Sequence, residues 1–347
     1  MTPFRSIVAA TDFSIDGNNA VARAAMLARL HDARLTVLHV VDNAAVRSVR
    51  EWFMPPLDTA TRVSQAQVTL HRLIREVPGL RDNLTVLDVQ TDDAVTALLR
   101  VAERADLLVL GQRPGNRLKD LLLGHTAHRV VERSRTPVLV VKQAADAAYQ
   151  RVLVPFDFTP ASDSAAVAAA ALALDVDLQI FHASGLRKDI ELRQARAPEH
   201  IIRETLEWED EGFVARMRRK ITKLGLDSRA MQFSVERGLA DSIILEQGRL
   251  RDVDLMVVGR HRRSRAAELL LGSVCNNLLK GSRCDMLIVP HHQIDQLPAA
   301  VRSGEAGLDS PRLARSTAAF ARTSNGNWMP GSPSSRSVNR EARLASK

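Results

Sequence analysis

The chain states one pattern twice, about 148 residues apart, and that internal repeat limits what it can fold into more than any other feature. Near the start, the run from Arg5 carries a short apolar strand into Asp12, then Phe13 and Ser14. Near the middle, the run from Arg151 does the same into Asp157, then Phe158 and Thr159. Later in the first half, an apolar run from Asp106 ends at Gly111. A triple-leucine run then leads to Gly124, His125 and Thr126, and a last apolar run starts at Pro137. In the second half Asp254, Gly259, the triple leucine before Gly272 and Ser273, and Asp285 follow in the same order. A repeat this long is a whole domain, so the chain reads as two copies of one domain in tandem.

Each copy alternates by period. Short apolar runs suit strands covered on both faces. In the first copy they fall at residues 6–10, 34–40, 84–89, 107–110 and 138–141. Helical spacing fills the intervals 16–30, 59–77, 92–104 and 118–133, with Asp92 or Asp93 as cap of the third. The second copy places strands at 152–155, 178–182, 231–235, 255–258 and 286–289, and a long charged helix within 190–223. Strands and helices in this rhythm imply right-handed crossovers. The expected fold class is α/β: two tandem Rossmann-like domains, each a five-stranded parallel sheet with helices on both faces. The expected boundaries are 1–143 for the first domain, 144–149 for a short Ala-rich linker, 150–292 for the second domain and 293–347 for a disordered basic tail.

The 347 residues suffice for two such cores. The formal charge is +8, but from Val301 onward there are eight Arg or Lys against three Asp or Glu. The tail thus supplies most of the excess, and no general nucleic-acid surface is required. Aromatic residues are 4% of the chain, which disfavours base-stacking platforms. Cys275 and Cys284 read as buried free thiols. No apolar run approaches the ~18 residues of a membrane span. The N-terminus enters a strand directly, with no signal peptide, so the expected compartment is the cytosol.

Open parallel α/β sheets bind ligands at the C-terminal ends of their strands. Three features land there in each half. Asp12 and Asp157 end the first strand and suit a ribose hydroxyl or an adenine amine; equally, with Ser14 or Thr159, they suit capping of the next helix. Gly111 and Gly259 end the fourth strand and allow close backbone approach to a phosphate. Gly124-His125-Thr126 and Gly272-Ser273 offer a glycine beside a hydroxyl near backbone N–H groups, a setting for an anion. Against that stands plain packing, with the leucine run as helix core.

The order and repetition of these motifs resemble the universal stress protein family, over about residues 3–143 and 150–291. The resemblance implies a stress-response or signalling module, often dimeric or tandem, in which some members bind ATP and others do not. The family's ATP signature is Gly, two residues, Gly, nine residues, Gly, then Ser or Thr. The first half supplies Gly111, Pro114 in place of the second glycine, Gly124, and His125 in place of the hydroxyl. Gly115 and Thr126 each come one position late. The second half supplies Gly259, Arg262 in place of the second glycine, then Gly272 and Ser273. The family's strand-one aspartate falls on Asp12 and Asp157, and its adenine-side residue near Val41 and Ala183. Pro114 removes an N–H donor, while Arg262 either fills phosphate space or clamps a phosphate. The arginines Arg260, Arg262, Arg263 and Arg265 favour a polyphosphate ligand.

The expected ligand is therefore ATP or a related adenine nucleotide, with Mg²⁺, bound without rapid turnover. The alternative is a nucleotide-free interaction protein of the same fold. A weak ATPase is the most enzyme activity expected, since no residue is placed as a general base. There is no Walker A lysine, no Gly-x-Gly-x-x-Gly after a strand and no nucleophile elbow. His125 and His128 lack companion ligands, so no metal site is expected. Protein partners are unspecified; no specific nucleic acid and no membrane are expected. The repeats are expected to pair as an intramolecular pseudo-dimer through their last strands, and a homodimer of whole chains is compatible with this.

Overall fold

The structure, a computed structural model, describes residues 4–41, 58–77, 85–112, 124–172, 176–260 and 271–291. The chain divides into Met1–Ala306 and Gly307–Lys347, and every described residue belongs to the first unit. The proposed tail, 293–347, therefore lies outside the described residues. The first half runs β1 (Ser6–Ala10), α1 (Ile15–His31), β2 (Arg34–Val41), α2 (Thr59–Glu76), β3 (Thr85–Thr91), α3 (Ala94–Ala102), β4 (Leu107–Gly111), α4 (His125–Arg133) and β5 (Val138–Val141). The second runs β6 (Arg151–Pro155), α5 (Pro160–Leu172), β7 (Asp177–Ser184), α6 (Arg187–Gln194), α7 (Glu199–Lys223), β8 (Met231–Arg237), α8 (Ala240–Leu250), β9 (Leu255–Arg260), α9 (Ser273–Gly281) and β10 (Asp285–Pro290).

The strands form one ten-stranded sheet in the order β3-β2-β1-β4-β5-β10-β9-β6-β7-β8. Pairing is parallel within each half. The halves join where β5 meets β10 antiparallel, with Leu139 opposite Leu287. Asp106 and Asp254 repeat a pin at the base of each half. The Asp106 carboxylate accepts from the Arg5 and Ser6 N–H groups, at 2.8 and 2.9 Å, and Asp254 from those of Gln150 and Arg151.

Both faces of the sheet are covered, which is why its strands are apolar throughout rather than alternating. On one face α1 and α5 bury Ala20, Ala24, Ala28, Ala165, Ala166 and Ala169 against strands of both halves. Small side chains let these helices sit close to the sheet. The two helices also meet: His31, fully buried, donates from Nε2 to the Leu172 carbonyl at 2.9 Å. On the other face, α4 and α9 contribute Val130, Val131, Leu278 and Leu279 to a second core.

Asp285, wholly buried, ties the halves together. Its carboxylate meets Arg23 of α1 at 3.3 Å, accepts from the Tyr149 hydroxyl at 2.7 Å, and accepts from the Lys142 and Gln143 N–H groups at 2.8 and 3.1 Å. Arg23 also stacks over the Tyr149 ring and donates to the Ala144 and Ala147 carbonyls.

The long helix expected within 190–223 is α7, and a separate short helix, α6, precedes it. Pro198 lacks an N–H, and its ring bars the helical conformation to the residue before it. Arg196 leaves α6 with a φ of 54°, and α7 begins after Pro198. Of the expected helix 118–133, residues 118–123 lie outside the described residues and α4 starts at His125. Among the described residues, no helix is long and apolar enough to cross a membrane.

Candidate functional site

In each half the chain leaves the first strand toward one edge and returns to fill the other side. The resulting switch points lie between β1 and β4, and between β6 and β9. At such points the loops above neighbouring strands diverge and leave a crevice. A cavity of about 320 Å³ opens at the first, lined among others by Asp12, Asp16, Gly111, Gly124, His125 and Thr126. One of about 410 Å³ opens at the second, where Asp157, Ser162, Ala183, Gly259, Gly272 and Ser273 are among the lining residues. Ten of the thirteen residues singled out from the sequence are thus gathered into two matching places. Val41 is not among them: its side chain is buried, and Val40, on the opposite face of β2, lines the cavity. Gly115 and Arg262, like Pro114, Arg263 and Arg265, lie outside the described residues.

The strand-one aspartates organise the turn into the next helix. Asp12 Oδ1 accepts from the Ser14 N–H at 3.1 Å and from its hydroxyl, and Ser14 Oγ accepts from Gly17 N–H at 3.1 Å as the cap of α1. Asp157 holds Thr159 in the same way, and Thr159 Oγ1 accepts from Ser162 N–H. The hydroxyl residue is therefore the cap and the aspartate its support. Both aspartates remain exposed at the cavity.

Between them sits a device that the sequence reading passed over. Phe13 and Phe158 have φ of 63° and 64°, a conformation bulky residues rarely adopt. Each ring packs on a histidine: Phe13 stacks on His39 at 4.2 Å, and Phe158 meets His182 edge-on at 5.0 Å. His39 Nδ1 donates to the Thr11 carbonyl at 2.9 Å and His182 Nδ1 to that of Phe156 at 2.7 Å. Burial pulls both imidazoles below the usual histidine range. The signal was present as a histidine near the end of the second strand in both repeats.

The glycines divide into two kinds. A Cβ on Gly111 would lie 2.3 Å from the Asp16 carbonyl oxygen, and one on Gly259 would lie 2.1 Å from that of Ala161. Neither has a positive φ. These glycines let the fourth strand of each half press against the first turn of α1 or α5, a packing demand independent of any phosphate. Gly272 differs, because a Cβ there would meet nothing within 4 Å.

Gly124 and Gly272 are the cap residues of α4 and α9, and neither helix has a side-chain cap. The first N–H groups returned to the helix are those of His128, to Gly124 O, and Asn276, to Gly272 O. The preceding N–H groups have no intrahelical acceptor and give the cavity mouth a positive partial charge. The two cavities differ in their acids. Asp16 lines the first, where burial and then the neighbouring Asp12 push its carboxyl up; its counterpart facing Gly259 is Ala161. Among the described residues no group of three or more His, Cys, Asp or Glu could hold a metal ion.

Arg260 corrects one expectation. Its guanidinium is buried against the first half, donating to the carbonyls of Val131, Glu132 and Ser134 at the end of α4. The following polar loop gave no hint of this, because its partner lies in the other repeat.

The sequence signature of the universal stress protein family matches residues 3–142 and again 148–290. A universal stress protein of Mycolicibacterium smegmatis is 26% identical over 299 residues, covering 82% of this chain and 96% of its own. One of Mycobacterium tuberculosis is 26% identical over 316 residues, with 81% and 96% covered. The crystal structure of a universal stress protein from Archaeoglobus fulgidus superposes with a TM-score of 0.59 at 17% identity, covering 82% of this chain and 98% of that one. A putative member from Pseudomonas aeruginosa gives 0.55 at 19% identity, with 86% and 98% covered. The structural matches show the shared fold.

Proposed function

The chain belongs to the universal stress protein family, carrying the family's domain twice, and from that premise we propose that it is a stress-response module binding ATP or a related adenine nucleotide. The observation that carries this reading is the second cavity. There Asp157 and the uncapped start of α9, with Ser273 in its first turn, line one space of about 410 Å³. In this reading Asp157 takes the ribose–adenine end. The N–H groups after Gly272 and the Ser273 hydroxyl hold phosphate oxygens, an arrangement helix N-termini favour. The open space beside Gly272 leaves room for them. Mg²⁺ comes with the nucleotide's phosphates.

The first cavity is the weaker site for a polyphosphate. Asp16 adds a second acid beside Asp12, and His125 stands at the position that Ser273 fills in the other half. The proposed organisation is two domains, 1–143 and 150–292, joined by 144–149 and followed by the tail from 293, acting in the cytosol.

Isothermal calorimetry with ATP and Mg²⁺ tests the reading. We expect the tighter binding to be lost with Ser273→Trp, which fills the second cavity and leaves only the weaker first one, and to be kept with Thr126→Trp, which fills the first. No heat and no retained nucleotide in native mass spectrometry would sink it. The rival is a nucleotide-free interaction protein. The glycines at 111 and 259 favour it, because packing alone accounts for them.

A further inference from the structure

The two halves hold each other's cavity helices from behind. Arg260 follows directly on Gly259, which lines the second cavity, yet its guanidinium grips the C-terminal carbonyls of α4, whose N-terminus lines the first. In the other direction, Lys142 follows β5, where Val141 is paired with Gly111 of the first cavity. Its Nζ donates to the carbonyls of Leu279 and Ser282, at 2.7 and 2.9 Å, and to the Ser282 hydroxyl at 3.0 Å. Those groups end α9, whose N-terminus lines the second cavity. Each cavity helix is therefore anchored at its far end by a cation from the opposite half.

We propose that the two cavities are coupled through these crossed grips, with Arg260 the positioning residue that carries the state of the second cavity to α4. The argument rests on the nucleotide reading above, and its physics is local. Arg260 is buried, and both its Nη groups donate to carbonyls that have no acceptor role left within α4. A ligand that fixes the backbone at Gly259 also fixes the next residue, and α4 moves with the guanidinium rather than leave buried donors unpaired. Fixing α4 from behind leaves less ordering to be done when its N-terminus takes up a ligand, so the coupling is positive. A purely structural grip would hold α4 equally with the second cavity empty or filled.

Hydrogen exchange of the full chain separates the two cases. Thr126→Trp blocks the first cavity, so added ATP with Mg²⁺ reaches only the second, and native mass spectrometry counts the bound nucleotide. We expect amide exchange across His125–Ser134 to slow on ATP binding, on the order of 5-fold, the low end of typical site-to-site coupling. In Thr126→Trp/Arg260→Met the slowing is lost although ATP still binds, and Arg260→Lys restores part of it. The mirror measurement uses Ser273→Trp with Lys142→Met and follows α9, which keeps the test open should Arg260→Met fail to fold. ATP bound with exchange in α4 and α9 unchanged would overturn the coupling. No ATP bound at all would remove the nucleotide reading and this inference with it.

Discussion

Gly111 and Gly259 do the same work in the two halves, and Gly272 does something else; single substitutions separate them. Ala at 259 forces a methyl against the Ala161 carbonyl, and Ala at 111 against that of Asp16. Such overpacking costs about 1–3 kcal/mol, so both variants should unfold at clearly lower denaturant concentration. Gly272→Ala meets no neighbour, has a compatible φ of −55°, and should leave stability nearly unchanged. The histidines set a pH limit. Burial holds His31, His39 and His182 below the usual histidine range, against the pull of nearby carbonyls. The unfolded chain therefore takes up protons before the folded chain does. Their contribution is intact above about pH 6.5 and is lost as pH falls through the lower folded values. Denaturant midpoints measured from pH 7 to 5 should fall, and fall less in His182→Gln. The thiols should be inert: both are buried, Cys275 is pushed up to about 12 and Cys284 up to about 11. A disulfide reagent at pH 8 should label neither until the chain unfolds.

Caps and breaks govern the elements. Ser14→Ala removes the oxygen that receives the Gly17 N–H and should destabilise by about 1 kcal/mol. Arg196 spends backbone strain to end α6, so Arg196→Gly should gain about 1 kcal/mol in the same denaturation assay. That break also sets off α6, a short helix that sequence reading did not separate from the long one. The ten strands were legible, because apolar runs bounded by turns leave few alternatives for a sheet covered on both faces. The stretch 190–223 read as one charged helix with a solvent-facing side, and charge alone did not mark its division at Pro198. The cavity residues were legible through repetition, which set Asp12 beside Asp157 and Gly124 beside Gly272. The position near Val41 was drawn only approximately: Val41 is buried and its neighbour Val40 lines the cavity, because a strand turns each successive side chain to the opposite face. The Phe13–His39 pair escaped notice because its members lie on different elements, as did the reach of Arg260 into the other half.

At the scale of the molecule, one sheet runs through both halves, and Asp285 is its central fixture. Burial pushes its carboxyl up more strongly than its partners pull it down, so the charge is held at a cost. Removing it would leave Arg23 buried without its counter-charge. Asp285→Asn should therefore lose about 3–5 kcal/mol, the usual result of breaking one side of a buried pair. Denaturant curves followed by fluorescence and by circular dichroism would measure it. In the first repeat the matching position at the start of the last strand is Pro137, which could not make these contacts. The junction between β5 and β10 gives that difference its meaning. These are equivalent strands of the two repeats, so a protein with a single repeat would need two separate chains to make the same contact. Here both edges are consumed within one chain, and neither half can trade its neighbour for that of another protein with the same fold. A half that always meets the same companion is released from having to match a copy of itself. Aspartate on one side and proline on the other record that freedom, and the fused pair keeps its junction whatever other chains of the same fold surround it.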